Sequence, residues 1–306
     1  MEATNLTWVS GEELLDRDVK EIPCIVDPIL PKIGIACLAG SSDTGKSSLL
    51  RYLCMSIVSG KTNFLDFKIN ADRRKAIYVS TEDEEMSISY LLNRQNKDMQ
   101  LENSSLKDLR FMFDTTDMMN RLDDMMSENP VDLVCIDAIT DLYNGSMNDA
   151  NKVRGFLNEF SQLARKHKCL ILFLHHCAKG TEQFVPSKSH LLGSQAFEAK
   201  MRLVIELISD HNNTRQKHLC IVKGNYLPDT SKRESYQLTF SENLTFENTG
   251  ERIPFENLTK NNDDGRQKYE QVKEYQKQGL SFQQIAEKMS YSNKSSISRL
   301  ISKFEK

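Results

Sequence analysis

No stretch of the 306 residues approaches the roughly 18 consecutive apolar side chains that a membrane-spanning helix requires. The first residues, Met1 to Asn5, also lack a basic segment followed by an apolar one, the mark of a secretory leader. A cytoplasmic protein without a membrane partner is therefore expected. The seven cysteines (Cys24, Cys37, Cys54, Cys135, Cys169, Cys177, Cys220) form no C-x-x-C pair and sit mostly inside apolar runs. They read as small buried residues in a reducing compartment, not as a disulfide framework. No repeat of fixed period is visible, which excludes a solenoid. What remains, at 39% apolar side chains, is enough to bury one substantial core and leave residues for a small second module.

Charge is sorted along the chain. The net charge of −3 hides nine Lys/Arg against four Asp/Glu from Gly265 onward, a local +5 that leaves −8 on the first 264 residues. A small basic end on an acidic body suits contact with a polyanion, and suits a solvated helical surface equally.

From Ile33 to about His176, short β-branched runs alternate with helical patterns, which predicts a mostly parallel twisted sheet with crossover helices. Strands are expected at 34–39, 76–80, 109–113, 133–137 and 170–175. Between the first two, Leu50, Leu53, Cys54, Ile57 and Val58 draw a helical stripe that ends at Gly60. Beyond residue 200 the texture changes to extended segments at 203–208, 219–222 and 236–246, read as antiparallel strands added to one sheet edge. The polar stretch 256–265 has little to bury and reads as a linker. The expected division is an N-terminal arm (1–30), an α/β domain (31–255), this linker, and a helical module (266–306).

Gly40-Ser41-Ser42-Asp43-Thr44-Gly45-Lys46-Ser47 matches G-x-x-x-x-G-K-[ST], directly after a strand and directly before the striped helix. Glycines let the backbone curl so that successive N–H groups, through Ser48, face a phosphate chain, and the helix N-terminus adds partial positive charge. Lys46 then reaches the β- and γ-phosphates of ATP, and the Ser47 hydroxyl is placed for Mg²⁺. Asp137, closing the apolar run 131–137, is the expected second metal carboxylate. Glu82, just beyond the strand at 76–80, is the expected general base, with Asp83 as the fallback. The other reading of Glu82 to Glu85 is an acidic first turn of the next helix.

The order of these parts resembles the RecA-like P-loop ATPases, and most closely the RepA-type hexameric replicative helicases of plasmids. The resemblance spans about residues 25–230. It rests on the phosphate motif, on Tyr78-Val79-Ser80-Thr81-Glu82-Asp83, on the run 133–137, and on Leu172-Phe173-Leu174-His175-His176-Cys177-Ala178-Lys179-Gly180. It implies a RecA-like core, ATP and Mg²⁺ as ligands, and a homo-oligomer, hexameric in the family. Of the pair His175-His176, it implies that His176 senses the γ-phosphate. Two histidines hydrogen-bonded at a strand end are the alternative. The loop 177–192 would touch single-stranded DNA through Lys179 and Lys188, unless these are ordinary loop lysines. Arg202, in Ala199-Lys200-Met201-Arg202-Leu203, corresponds to the arginine that reaches the ATP of a neighbouring subunit, with Lys223 as a second such cation or a plain strand residue. One departure is the short arm with Trp8, Ile22, Ile25, Val26 and Ile29. It either covers its own core or docks on the next subunit.

From Arg266 the pattern is helical again. Tyr269, Val272 and Tyr275 are followed by a break at Gln278-Gly279; then come Phe282, Ile285, Ala286 and Met289, a turn at 290–293, and Ile297, Leu300, Ile301 and Phe304. Ser281 and Gln284 fit a capping box. Three short helices with this turn resemble a DNA-binding helix-turn-helix domain. Lys294, Ser296, Arg299 and Lys303 would then face duplex DNA. A three-helix protein-interaction knob has the same spacing. The implied activity is an ATP-hydrolysing DNA motor, a replicative helicase of a plasmid, phage or mobile element. Beside it stand an ATP-gated DNA-binding regulator or initiator without unwinding, and a small-molecule P-loop kinase.

Overall fold

The computed structural model describes residues 8–143, 145, 149–178, 180–192, 195–291 and 293–305. A short helix, α1 (Gly11–Asp16), opens the described chain, followed by β1 (Cys24–Asp27) and β2 (Leu30–Pro31). The central strand β3 (Gly34–Gly40) leads through the phosphate motif into α2 (Lys46–Val58). After β4 (Asn63–Phe64) and β5 (Phe67–Ile69), strands and helices alternate: β6 (Ala76–Ser80), α3 (Glu85–Met99), β7 (Leu109–Met112), α4 (Met118–Glu128), β8 (Leu133–Asp137), α5 (Ala150–His167) and β9 (Leu170–His176). A short helix α6 (Gln195–Lys200) then leads to β10 (Leu203–Ser209), β11 (Gln216–Gly224), β12 (Glu234–Phe240) and β13 (Phe246–Pro254). Three helices close the chain: α7 (Lys260–Lys277), α8 (Phe282–Lys288) and α9 (Lys294–Phe304).

Among the described residues, nine strands form one sheet in the order β13-β12-β11-β10-β3-β9-β8-β6-β7. The six from β10 to β7 run parallel, while β11, β12 and β13 are added antiparallel at one edge. This is the α/β architecture that the alternation of runs predicts. Side chains leave a strand on alternate faces, so Leu170, Leu172 and Leu174 of β9 join α2 and the small N-terminal strands on one side. Ile171 and Phe173 join α4, α5 and α6 on the other. Both faces are covered by apolar side chains, which is why the central strands read as unbroken hydrophobic runs.

Register lines up the carboxyl ends of the parallel strands. Gly40 pairs with His176, Ser80 with Asp137, and Ala39 with Glu206. In open α/β sheets, ligands bind at this edge.

Four sequence expectations change. The segment 203–208 is not an antiparallel addition: as β10 it runs parallel to β3 inside the sheet, because α6 carries the chain from β9 back across as a crossover, and the antiparallel strands begin only at β11. The segment 236–246 is not one strand but the end of β12, a turn and the start of β13. Ser241 accepts from the N–H groups of Asn243 and Thr245, and Leu244 takes φ 65°, so the chain reverses there. The polar stretch 256–265 is not coil: a 3₁₀ turn, Phe255–Leu258, runs into it with Phe255 and Leu258 buried against Ile208 and Cys220, and the first residues of α7 follow. Asn and Asp tolerate the start of a helix, so polarity alone did not mark coil. The arm divides: Ile25, Val26, Ile29 and Leu30 are buried in the chain's own core, whereas α1 has no buried residue and Trp8 and Leu15 are 79% and 82% exposed.

In the C-terminal helices Val272, Ile285, Ala286 and Ile297 form a small separate core. The Ser281–Gln284 capping box is present at the start of α8.

Candidate functional site

The phosphate loop is shaped by contacts that permit little else. A Cβ on Gly40 would lie 2.5 Å from the Leu207 carbonyl oxygen of β10, so the strand and its neighbour approach only through glycine. Asp43 (φ 61°) and Gly45 (φ 93°) then turn the chain into α2. Gly45 caps α2 without a side-chain hydrogen bond, which leaves the first N–H groups of the helix for a ligand. The stacked pair Phe240 and Phe246, with centroids 4.6 Å apart, packs against Gly45 from the β12–β13 turn. Lys46 is 5% exposed, and its Nζ donates to the Ser41 carbonyl at 2.5 Å. Burial lowers its pKa, and the carboxylates of Asp137, Glu82 and Asp43 act against that shift.

Asp137 is 5% exposed at the end of β8. The buried Tyr78 hydroxyl donates to its Oδ2, while Oδ1 is buried with no hydrogen-bond partner. Burial raises the Asp137 pKa, opposed by the nearby hydroxyls of Tyr78 and Ser47 and by the charge of Arg51. Among the described residues, no group of three or more His, Cys, Asp or Glu could hold a metal by itself. One hydroxyl and one carboxylate with an open oxygen fit Mg²⁺, which takes few protein ligands and relies on phosphate oxygens and water. Ser47 and Asp137 are the residues that would hold it.

Glu82 lies just past β6 and stays exposed, with His176 Nε2 3.6 Å from its Oε1. His176 in turn neighbours the motif, since Cys177 N–H donates to the Gly40 carbonyl at 3.1 Å. Thr81 ties the ends of β6 and β8 together: its N–H donates to the Asp137 carbonyl at 2.8 Å, and its hydroxyl accepts the Ala138 N–H at 2.9 Å. Lys46, Ser47, Glu82, Asp137 and His176 thus meet at one sheet edge.

His175 faces the other way. Its Nε2 lies 2.8 Å from the Leu192 carbonyl and so carries the ring proton, and its Nδ1 is buried without a partner against Phe197. Burial pushes its pKa down from 6.5 to about 4. An unfolded chain takes up this proton near 6.5, so the stability contributed by the neutral ring is complete above that value and is lost as pH falls toward 4. We expect the urea midpoint to drop between pH 7 and pH 4.5, with a shallower dependence in His175→Gln. Equal slopes in the two proteins would contradict this assignment.

Arg202 does not join the cluster within one chain. Its N–H donates to the Ile35 carbonyl near the start of β3 at 2.9 Å. Five residues of strand, about 17 Å, separate that position from Gly40. There Arg202 lines an open cavity of about 400 Å³ with Arg165 and Lys200. Lys223 is largely buried and donates to the Glu198 carbonyl at 2.7 Å, whereas Lys188 stays exposed while pairing with the Glu198 carboxylate at 3.3 Å. Lys179 lies outside the described residues, as does the side chain of Lys303. On α9, Lys294 and Arg299 are exposed, whereas Ser296 donates its N–H to the Asn293 cap at 3.3 Å and is half-buried.

Four side chains near the site escaped the sequence reading. Tyr78 holds Asp137. Arg51, 2% exposed, places Nη1 3.9 Å from Asp83 Oδ2 as an ion pair, with neither Nε nor Nη1 in a hydrogen bond. Gln95, fully buried, donates to the Ser48 carbonyl at 2.9 Å and the Leu244 carbonyl at 2.8 Å, fastening α2 to the β12–β13 turn. Glu206 is buried in the middle of β10. The usable signals were an arginine inside the apolar stripe of α2 and a glutamate inside the apolar run 203–208, both unfavourable unless paired.

A solved structure, the ATPase domain of G40P, has this fold. It superposes with a TM-score of 0.55 at 13% identity, covering 78% of this chain and 95% of that one. The core therefore shares the α/β fold of that ATPase domain, a mostly parallel sheet with antiparallel strands at one edge. No curated protein sequence matches the chain. A family model described as AAA domain matches residues 9–182, more than half of the chain and the segment that carries the phosphate motif, Glu82, Asp137 and His176, and so the chain belongs to the AAA domain family.

Proposed function

We propose that this protein is an ATP-hydrolysing DNA motor of the helicase type. The observation that carries the reading is the convergence of Lys46, Ser47, Glu82, Asp137 and His176 at one edge, with the loop 177–192 leaving directly from His176. The structural relative, itself an ATPase domain, is in keeping with it. In this reading Glu82 takes a proton from the water that attacks the γ-phosphorus. The bond to the β-phosphate oxygen breaks, and ADP and phosphate leave. Lys46 and the N–H groups at the start of α2 hold the charge that develops on the phosphates. Mg²⁺, held at Ser47 and Asp137, would neutralise the β- and γ-phosphate oxygens.

His176, within 3.6 Å of Glu82, would report the state of the γ-phosphate to the loop. Lys188, and Lys179 in the same segment, would meet single-stranded DNA phosphates without reading bases. Arg202 would act on the ATP of a neighbouring copy, which requires an oligomer, with a hexameric ring as the family form. A RepA-like replicative helicase of a plasmid, phage or mobile element is the specific form of this proposal.

The three C-terminal helices support a second reading, an ATP-gated regulator or initiator that binds duplex DNA through Lys294, Ser296, Arg299 and Lys303. Its supporting observation is the small separate core formed by Val272, Ile285, Ala286 and Ile297, with Lys294 and Arg299 of α9 exposed. On that reading 266–306 is a DNA-binding helix-turn-helix domain, distinct from the RecA-like domain of 31–255.

The deciding measurement is ATP turnover with and without single-stranded DNA, from about 50 to 200 mM salt. Stimulation that fades as salt rises is expected. A rate indifferent to DNA at every salt concentration would overturn the motor; sequence-selective, ATP-tuned duplex binding without unwinding would favour the regulator.

A further inference from the structure

Glu206 is an acidic residue among the apolar residues 203–208 of the parallel strand β10, and it is only 4% exposed. Its carboxylate faces one segment. Oε2 accepts the Ser187 N–H at 2.9 Å, Oε1 lies 2.8 Å from His190 Nδ1, and Cys177 Sγ stands 3.7 Å from Oε1. These partners lie at the start, middle and end of the loop 177–192. His190 is itself 7% exposed, and the loop is closed by a bridge between Cys177 and Leu191. A buried carboxylate is costly unless its oxygens are satisfied, and here groups of the loop satisfy both of them.

The other side of Glu206 is the phosphate loop. It pairs in register with Ala39, one residue before Gly40, and the next residue of β10, Leu207, presents the carbonyl that excludes any Cβ at Gly40. A cavity of about 270 Å³ lies between them, lined by Ser41, Ser42 and Thr44 of the phosphate loop, by Glu206, and by Gln183 of the 177–192 loop. We propose that Glu206 is a positioning residue that fixes the conformation of the loop 177–192 and couples it to the phosphate loop through β10. This route is separate from the one through His176. The use of the coupling in DNA-stimulated turnover rests on the function proposed above; the anchoring of the loop does not.

Three measurements on the full chain separate these claims. Glu206→Gln keeps the size of the side chain and loses the charge that holds the Ser187 N–H and the His190 ring together. Limited proteolysis, with chymotrypsin at the exposed Phe184 and trypsin at Lys188, should cut the loop several-fold faster in this variant than in the parent. Affinity for a fluorescent ATP analogue should stay within about twofold, since both Glu206 oxygens are engaged by the loop 177–192 and neither holds the phosphate loop, and stimulation by single-stranded DNA should fall by about tenfold or more. Glu206→Asp, which retains the charge, should recover part of that stimulation. Unchanged cleavage would overturn the anchoring, whatever DNA does. Faster cleavage with full stimulation would overturn the coupling. A parent protein that DNA never stimulates would count against the motor and leave the cleavage result to decide the anchor.

Discussion

Glu82→Gln is expected to slow ATP hydrolysis by about 10²- to 10⁴-fold while nucleotide binding stays within a few-fold of the parent. Gln preserves the volume and polarity of the side chain and removes only its capacity to take a proton. The position fits a base because the end of β6 is fixed beside Asp137 through Thr81 and lies across from His176, with Oε1 3.6 Å from Nε2. The competing carboxylate, Asp83, is turned elsewhere. Its Oδ2 lies 3.9 Å from the buried Arg51, and its N–H and carbonyl are both engaged by the Ser80 hydroxyl. Asp83→Asn should therefore disturb α2 and the site together and lower nucleotide affinity as well as rate. Single-turnover hydrolysis and binding of a fluorescent analogue, measured on both variants, separate the two outcomes. If Asp83→Asn alone loses turnover with binding intact, Glu82 is not the base.

Arg202→Ala is expected to lower kcat by about 10³- to 10⁵-fold, the range of an arginine that stabilises phosphoryl transfer. Within one chain Arg202 sits some 17 Å along the strand from Gly40, too far to touch its own triphosphate. A loss of this size must then come from a second copy, whose phosphate loop meets the Arg202 end of the sheet. On this proposal the contact would be head-to-tail, so that each shared site would combine a phosphate loop from one subunit with an arginine from the next. Lys46→Ala and Arg202→Ala should each be inactive alone and regain part of the activity when mixed, because some interfaces then combine the intact half of each. No recovery on mixing, or full activity of Arg202→Ala in the presence of DNA, would remove Arg202 from the reaction. Native mass measurement of the same mixtures gives the number of copies.

The readable part of the site was the part written in contiguous residues. The motif from Gly40 to Ser47 specifies its backbone curl within eight positions, and Asp137 and Glu82 stand at the ends of apolar runs that are recognisable as strands. Tyr78, Arg51, Gln95 and Glu206 were not legible in the same way. Each looks like an ordinary member of its own segment, and each acquires its role from a partner far along the chain. Tyr78 meets Asp137, Gln95 meets Leu244, and Glu206 meets His190. The pair His175-His176 shows the same limit at a single position. Alternation along β9 puts one ring under Leu192 and Phe197 and the other beside Glu82, and only the packing of α6 on one face reveals which is which.

Sequence by itself determined the alternation of strands and helices, the parallel centre of the sheet, the phosphate loop, and Asp137 and Glu82 at the ends of two other strands. These follow from local pattern: hydrophobic period, glycine placement and the chemistry of a phosphate cradle. Tertiary structure decided the rest. Strand order and register brought residues from β3, β6, β8 and β9 to one edge, sent Arg202 to the opposite edge, and buried Glu206 against the loop 177–192. The reason is physical: register is fixed by the packing of both sheet faces at once, and no single segment of the chain carries that information.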